Sequence, residues 1–316
     1  MQPRILLTSS VQVHLLVSIP KNYVLILNRQ HTAAIYISVK MKYNLLLIFL
    51  FTITVNGQKI ISPNFSIKPS PFEIIEYGKS FYNIYYKVDF LDNALLPSSK
   101  KEAICILEVN DKVSKFFDNN KVRIDSLDKE YSVKNTIGQK EAGEYFKTKV
   151  LWNNVIFKNG DSLTIQDRFR YPYQYDGKQP ALNWNLEKEE KDILGYKCKK
   201  AKVNYAGRTY FAWYTPDIPL YNGPYIFGGL PGLILEVEDS DKKYTFTAVG
   251  IDKNPKPIYL RNEKKILKIT REKFKTVQKA YKENPGAFYN GKAYNEDGSP
   301  LTIKPRNIQY ESMELD

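Results

Sequence analysis

Leu233-Ile-Leu-Glu-Val-Glu238, Asp239-Ser-Asp-Lys-Lys243 and Tyr244-Thr-Phe-Thr-Ala-Val-Gly250 read as strand, turn and strand. Leu233, Leu235 and Val237 alternate with Ile234, Glu236 and Glu238, and Tyr244, Phe246 and Ala248 share one face. A period of two marks a half-buried strand. Upstream, Gly195–Tyr205 and Arg208–Thr215 flank Ala206-Gly207, a hairpin signal. Cys198 fits the inward side, yet so do Ala201, Val203 and Tyr205 in the opposite phase. A β-bulge at Lys199-Lys200 would keep both sets inside; the alternative is an outward Cys198.

The same period extends further out. Leu182, Trp184 and Leu186 alternate with Asn183 and Asn185. Ser162–Phe169 follows a turn at Phe157–Asp161. Phe81–Phe90, the run around Cys105, Leu107 and Val109, and Ser114–Phe117 read as strands. Residues 122–149 are charged and weakly periodic, a short helix or loop excursion. One helix is well signalled: Thr270 caps it, Glu272 lies in its first turn, Phe274, Val277 and Tyr281 form its apolar stripe, and Asn284-Pro285-Gly286 ends it. Its other face carries Lys273, Lys275, Lys279 and Lys282, most simply a solvated face. The expected fold is mainly β: a single curved antiparallel sheet with one C-terminal helix, curling to bury its apolar rows. At fold level this resembles the half-barrel of lipoprotein-carrier (LolA-like) proteins, which licenses no function by itself.

Composition narrows the function. The chain has 316 residues, 47 Lys and Arg against 34 Asp and Glu, two cysteines and two histidines. Two cysteines exclude a disulfide scaffold and a four-cysteine zinc site. No acidic residue precedes Glu73. Met41 opens a short basic stretch with Lys42, the apolar run Leu45–Val55 and Asn56-Gly57 before Gln58, the pattern of a secretory signal peptide. The run is short for a membrane-spanning helix; a buried strand and an uncleaved anchor are the alternatives. Residues 1–40 read as an over-extended start, 41–57 as the signal peptide, and 58–316 as one β-rich domain. Cleavage would remove His14 and His31, which excludes histidine-based triads and zinc catalysis. The expected location is periplasmic or secreted, with no membrane span after cleavage. Cys105 and Cys198 fall in predicted strands; an exported disulfide and two buried thiols are both open, with free thiols preferred.

Gly223-Pro-Tyr-Ile-Phe-Gly-Gly-Leu-Pro-Gly-Leu-Ile-Leu-Glu-Val-Glu238 resembles the signature of the GLPGLI family, secreted proteins of the Bacteroidetes lineage. Its naming residues stand here as Gly229 to Ile234. Ile193–Cys198 and Ala206–Pro219 match as well, and the resemblance is specific from about Asn183 to Gly250. It is looser over Ser80–Phe117 and weak at Glu314-Leu315. Residues 1–40 fall outside it. The resemblance implies export and no established enzyme activity, so it implies no catalytic residues, and the molecular function stays uncharacterized.

Read physically, Gly228, Gly229 and Gly232 around Pro231 permit a tight backbone just before a buried strand. A compact structural turn explains them most simply; close approach of a ligand is the functional reading. The segment lacks the Lys-Ser/Thr of a nucleotide loop. Trp184, Trp213, Tyr214 and Tyr225 are the groove candidates, rings with polar tips, although rings at strand spacing are more often core. Arg208 could pair with an anion or sit at a rim. With Gly229, Pro231 and Gly232, these form the candidate ligand-binding set. Glu236, Glu238, Asp239 and Asp241 lack the spacing of a calcium loop, and no metal or cofactor is expected. Glu187, Glu189, Glu190 and Asp192 could contain a hydrolase carboxylate pair. The basic charge is dispersed and no nucleic-acid motif accompanies it. Two functions remain: a non-enzymatic envelope protein binding an apolar or peptide ligand or a partner protein, and an exported hydrolase using carboxylates, Tyr or Lys instead of His.

Overall fold

A computed structural model describes residues 68–289 and 308–315, Ser66, and the backbone of short strands at 5–7, 13–15, 293–294 and 300–301. The chain divides into two units, Met1–Lys59 and Ile60–Asp316. In the first, β1 (Ile5–Leu7) pairs antiparallel with β2 (Val13–Leu15). The signal peptide assigned to 41–57 and the rest of the start assigned to 1–40 lie outside the described residues.

The second unit runs β3 (Ile74–Lys79), β4 (Tyr82–Leu91), β5 (Lys100–Val109), β6 (Val113–Asp118), α1 (Asn120–Tyr131) and α2 (Gln139–Lys147). Next come β7 (Val155–Asn159), β8 (Ser162–Arg168), β9 (Pro172–Lys178), β10 (Asn185–Ile193), β11 (Tyr196–Tyr205) and β12 (Arg208–Thr215). After a long loop follow β13 (Leu233–Asp239), β14 (Tyr244–Asp252), β15 (Pro257–Arg261), β16 (Leu267–Lys268) and α3 (Arg271–Glu283). The pair β17 (Ala293–Tyr294) and β18 (Pro300–Leu301) is last.

The fold is mainly β. Twelve strands form one open sheet in the order β10-β11-β12-β13-β14-β4-β5-β6-β7-β8-β9-β16. Three corrections to the sequence expectation follow. The sheet is mixed, because β16 runs parallel to β9. It is not alone: β3 and β15 form a second, antiparallel sheet, whose Ile258 and Leu260 cluster with Val113 and Phe157 of the large sheet. Nor is α3 the single helix, since α1 and α2 form an excursion between β6 and β7 with its own small cluster of Leu127, Tyr131 and Ile137. Of the two readings of residues 122–149, a short helix or a loop excursion, the helical one holds, as two helices; their periodicity is weak because few of their residues are buried.

Ring contacts show that the large sheet curls. Phe116 on β6 and Phe246 on β14 are three strand spacings apart, about 14 Å on a flat sheet, yet their ring centres lie 6.0 Å apart. Register places Tyr86, Val88, Phe246, Val237, Ala212 and Ala201 on this inner face. Loop residues Ile218, Tyr225, Phe227 and Leu230, with Trp152, Phe274 and Met313, pack into the same core. The chain thus fills much of its own concavity.

The phase change around Cys198 has a different origin from the predicted slip. β11 keeps unbroken register with β12 from Lys199↔Tyr214 to Tyr205↔Arg208. The irregularity lies in β10, between Leu186 and Glu190. Cys198 therefore takes the face opposite Ala201 and is buried there. Strand β10 begins at Asn185, so Leu182 and Trp184 precede it. Both cysteines are free and buried. Ala206 and Gly207 turn their hairpin with φ +48° and +74°, the two left-handed residues of a type I′ turn. Thr270 caps α3, its side chain accepting from Lys273 N at 3.3 Å.

The loop after β12 returns through Gly232, at φ +147°, where an added Cβ would lie 2.1 Å from Thr215 O. Gly229, at φ +80°, has open space around the same position. Gly232→Ala should therefore destabilise the fold by at least about 2 kcal/mol, and Gly229→Ala by about 1 kcal/mol from backbone strain alone. Urea unfolding of the two variants checks the ordering; equal losses would show that close approach at Gly232 is not the constraint.

Candidate functional site

The hairpin turn sends Arg208 into the interior rather than to a rim. The residue is 7% exposed. Nε donates to Ser312 O at 3.0 Å, Nη1 to Asp239 at 3.2 Å, and Nη2 to Ser312 O at 2.6 Å and to Glu311. Burial opposes its charge, but Glu311 and Asp239 hold the guanidinium protonated. Tyr210 Oη donates to Met313 O at 2.6 Å, and Tyr244 Oη donates to Glu311 O. Glu314 accepts from Tyr225 Oη at 3.0 Å and Arg271 at 2.5 Å. The 311–314 segment is thus strapped beside the loop and α3.

Along this strap opens a cleft with an empty volume of about 680 Å³, its mouth included. Rings of Trp152, Tyr225 and Tyr244 line it, along with the amides Asn153, Asn154 and Gln278. Its charges are Asp92, Glu314, Lys275 and Lys282. Asp118, 1% exposed, positions Trp152: its carboxylate accepts from Leu151 N at 2.8 Å, Trp152 N at 3.0 Å and Asn120 N at 2.8 Å. One carboxylate therefore clamps both ends of the helical excursion. Trp152 is 6% exposed, and its Nε1–H has no acceptor.

Two carboxylates, Asp92 in the lining of this cleft and Asp167 bonded to two of its lining amides, are pushed in opposite directions. Burial raises Asp167, against the charges of Lys282 and Lys121; its Oδ2 accepts from Asn154 at 3.1 Å and Gln278 at 3.4 Å. Burial would raise Asp92 too, but a 2.6 Å bond from Lys101 and the charge of Lys282, 3.7 Å away, bring it below the ordinary carboxylate value.

The structure disperses the candidate set. Tyr225 lines the cleft. Tyr214 is buried on the inner face, while Trp213 lies in register with Glu236 and Lys200 on the outer face, under Lys191 at 4.4 Å from its ring. Trp184 is half-buried, its Nε1–H donating to Gly228 O at 2.9 Å. Gly229 and Pro231 are exposed in the loop, and Gly232 is buried. Glu187 and Glu189 flank the Lys200 amine at 3.0 Å each, and Glu236 binds Lys191 at 2.5 Å. Sequence reading missed Trp152, Asn153, Asn154 and Asp92. Their signal was faint: Trp152-Asn-Asn closes a charged stretch without periodicity. Among the described residues no group of three His, Cys, Asp or Glu could hold a metal ion, and no helix is long and apolar enough to cross a membrane.

The family comparison is decisive. Residues 106–278, more than half of the chain, match the model of the N-glycanase peptide, N-terminal domain. The chain belongs to this family. The match spans the segment from Gly229 to Ile234, so the GLPGLI assignment is corrected. The reading as a non-enzymatic envelope protein is corrected with it, because the family matched is described as the N-terminal domain of an N-glycanase peptide. Two solved structures of PNGF-II, in C2 and P21 space groups, are similar at 18% and 17% identity, with TM-scores of 0.43 and 0.42. The alignments cover 63% and 64% of this chain but 32% and 33% of those chains, so the chain spans about a third of their length. Curated proteins give no match.

Lys158 supplies a test of the loop's seat. It is 5% exposed, and its Nζ donates to Phe227 O at 2.7 Å. Burial pushes its pKa down to about 7. Between that value and the ordinary lysine value of about 10.4, the unfolded chain binds more protons than the native one, so stability rises with pH. From pH 7 to 9 the wild type should gain about 2 kcal/mol relative to Lys158→Met. Urea unfolding at the two pH values checks this, and parallel pH dependences would contradict it.

Proposed function

We propose that this chain takes part in the release of N-linked glycans and that its inner cleft holds the carbohydrate. Family membership supports the reaction class. The observation that carries the site is Trp152: a buried indole N–H without an acceptor, in a cleft edged by Asn153, Asn154 and Gln278. A buried donor left unpaired costs about 1–3 kcal/mol, which a ligand carbonyl or hydroxyl oxygen would recover. Sugars offer such oxygens on a ring that packs against aromatic walls. Among the sequence candidates, this reading gives Tyr225 a contact role; Arg208 holds the strap, and Trp184, Gly229, Pro231 and Gly232 shape the loop.

The opposed shifts of Asp167 and Asp92 favour chemistry over binding alone. One carboxyl shifted toward its neutral form and another toward its ionised form are the kind of pair that proton transfer uses, and no histidine follows His31. Export suits an enzyme of glycoproteins: the leader at 41–57 would be removed near Gln58, giving a periplasmic or secreted protein.

The test uses an N-glycosylated peptide and its glycan-free twin, with binding and glycan release measured separately. The glycosylated form should bind selectively. Trp152→Phe, which keeps a ring but removes the donor, should weaken binding by about tenfold. Asp92→Asn and Asp167→Asn should lower release more than binding. Equal binding of both peptides would overturn the reading of the cleft, and unchanged release in both aspartate variants would overturn their role.

A further inference from the structure

The large sheet has a second cleft on its outer side, between α1, β6, β8 and β15, with an empty volume of about 660 Å³ including its mouth. Lys115, Lys121 and Arg261 line it. Lys115 is 4% exposed. Its amine lies 4.1 Å from the Phe117 ring centre and 4.0 Å from that of Tyr259, and among the described residues it makes no hydrogen bond or salt bridge. Lys121, half-buried at the start of α1, makes none either among the described residues. Arg261 uses Nη1 on Asp125 and Asp128, while its buried Nε–H has no acceptor.

The carboxylates of this cleft are already engaged. Asp125 accepts from Tyr259 Oη at 2.7 Å and from Arg261. Asp128 accepts from Tyr145 Oη at 2.8 Å and from Arg261. Glu263 accepts from Arg168 at 2.5 Å. Asp167 is held by Arg168 N, Asn154 and Gln278. The lining of the cleft thus contains unsatisfied donors beside satisfied acceptors; Glu108, the cross-strand neighbour of Lys115 whose Oε2 has no donor, is not part of that lining. Buried donors in folded proteins are almost always paired, with protein, water or a bound group. An acceptor-only ligand is the complement.

We propose that this outer cleft is an oxyanion-binding site, in which Lys115, Lys121 and the Arg261 Nε–H receive a carboxylate, sulfate or phosphate group. Burial lowers both amines further than their neighbouring carboxylates restore them, Glu108 and Asp125 for Lys115 and Asp167, Asp125 and Asp118 for Lys121, so each gains from a further anion beside it. The aromatic sandwich fixes the Lys115 amine in position before the ligand arrives, which reduces the ordering cost of binding. The two clefts meet at Asp167, which lines the outer one and bonds Asn154 and Gln278 of the inner one; the donors Lys115, Lys121 and Arg261 belong to the outer cleft, and their role does not depend on the glycan reading.

Calorimetric titration of the full chain with inorganic sulfate, inorganic phosphate, glucuronate and glucose tests the proposal. Saturable binding of at least one oxyanion and none of glucose is expected. Binding of the inorganic ions would assign the site to free oxyanions; selective binding of glucuronate would assign it to an acidic sugar. Lys121→Met should weaken binding by about tenfold or more, as loss of one charge-assisted hydrogen bond does. Lys115→Met should do the same, with circular dichroism confirming its fold. Lys279→Met, on the exposed face of α3, should bind as the wild type does. No saturable oxyanion binding, or affinity unchanged in a folded Lys121→Met protein, overturns the proposal.

Discussion

The close passage of Gly232 over the Thr215 carbonyl sets the interior of this protein. A sheet this strongly curled has an inner face that its own side chains only partly cover, and uncovered apolar rows would leave much of the hydrophobic driving force unused. The segment between β12 and β13 closes that face. It can do so only by turning back sharply at its end, so that Leu233 joins the sheet while Phe227 and Leu230 reach the core. The Phe227 ring then meets Tyr210 at 4.9 Å and Tyr225 at 6.1 Å. Tyr225 and Trp152, whose ring centres are 6.0 Å apart, form the wall from which the cleft opens. A side chain at position 232 would disturb this series at its first step.

Buried charges perform the second task, joining segments distant in sequence. Asp118 binds both ends of the helical excursion, Arg208 binds the C-terminal strap, and Lys158 binds the loop to β7. Each is nearly inaccessible, so each bears a desolvation cost that only full hydrogen bonding offsets. Arg208 and Asp118 meet that condition with several short bonds. Lys158 meets it less well, with one short bond to Phe227 O and a 3.5 Å contact to Asn222, which is why its proton is held loosely.

The strands with one polar and one apolar row were legible in the sequence. Phe81–Phe90, Arg208–Thr215 and Tyr244–Gly250 all stand close to their observed bounds, and the Thr270 cap marked α3. Strands such as β9 and β15 were missed because Pro172, Gly177 and Pro257 interrupt their pattern. The cleft was harder to see. Trp152 was unremarkable in a charged stretch, and its position depends on Asp118, 34 residues upstream. Trp213 misled for the opposite reason: a tryptophan beside the glycine-rich loop in sequence is on the other face in space, because adjacent residues of a strand point to opposite sides. The motif Gly229–Ile234 drew the family assignment, whereas the match that defines the family extends over 106–278.

The outer face shows why a polar row need not be a solvated one. Glu108 and Lys115 are paired across β5 and β6, on the side that alternation assigns to water. The second sheet and α1 cover that side, leaving both residues 4% exposed. Burial raises Glu108 toward its neutral form, and its Oε2 has no donor. Lys115 turns instead to two aromatic rings. A layer laid over a charged row thus converts ordinary surface residues into unsatisfied interior ones, without changing the pattern from which the strand was read. Where apolar residues cover such a row, as Ile258 and Leu260 cover Val113 and Phe157, the result is core. Where the row is charged and the cover leaves a gap, the result is a pocket whose donors lack partners, which is a physical starting point for a binding site.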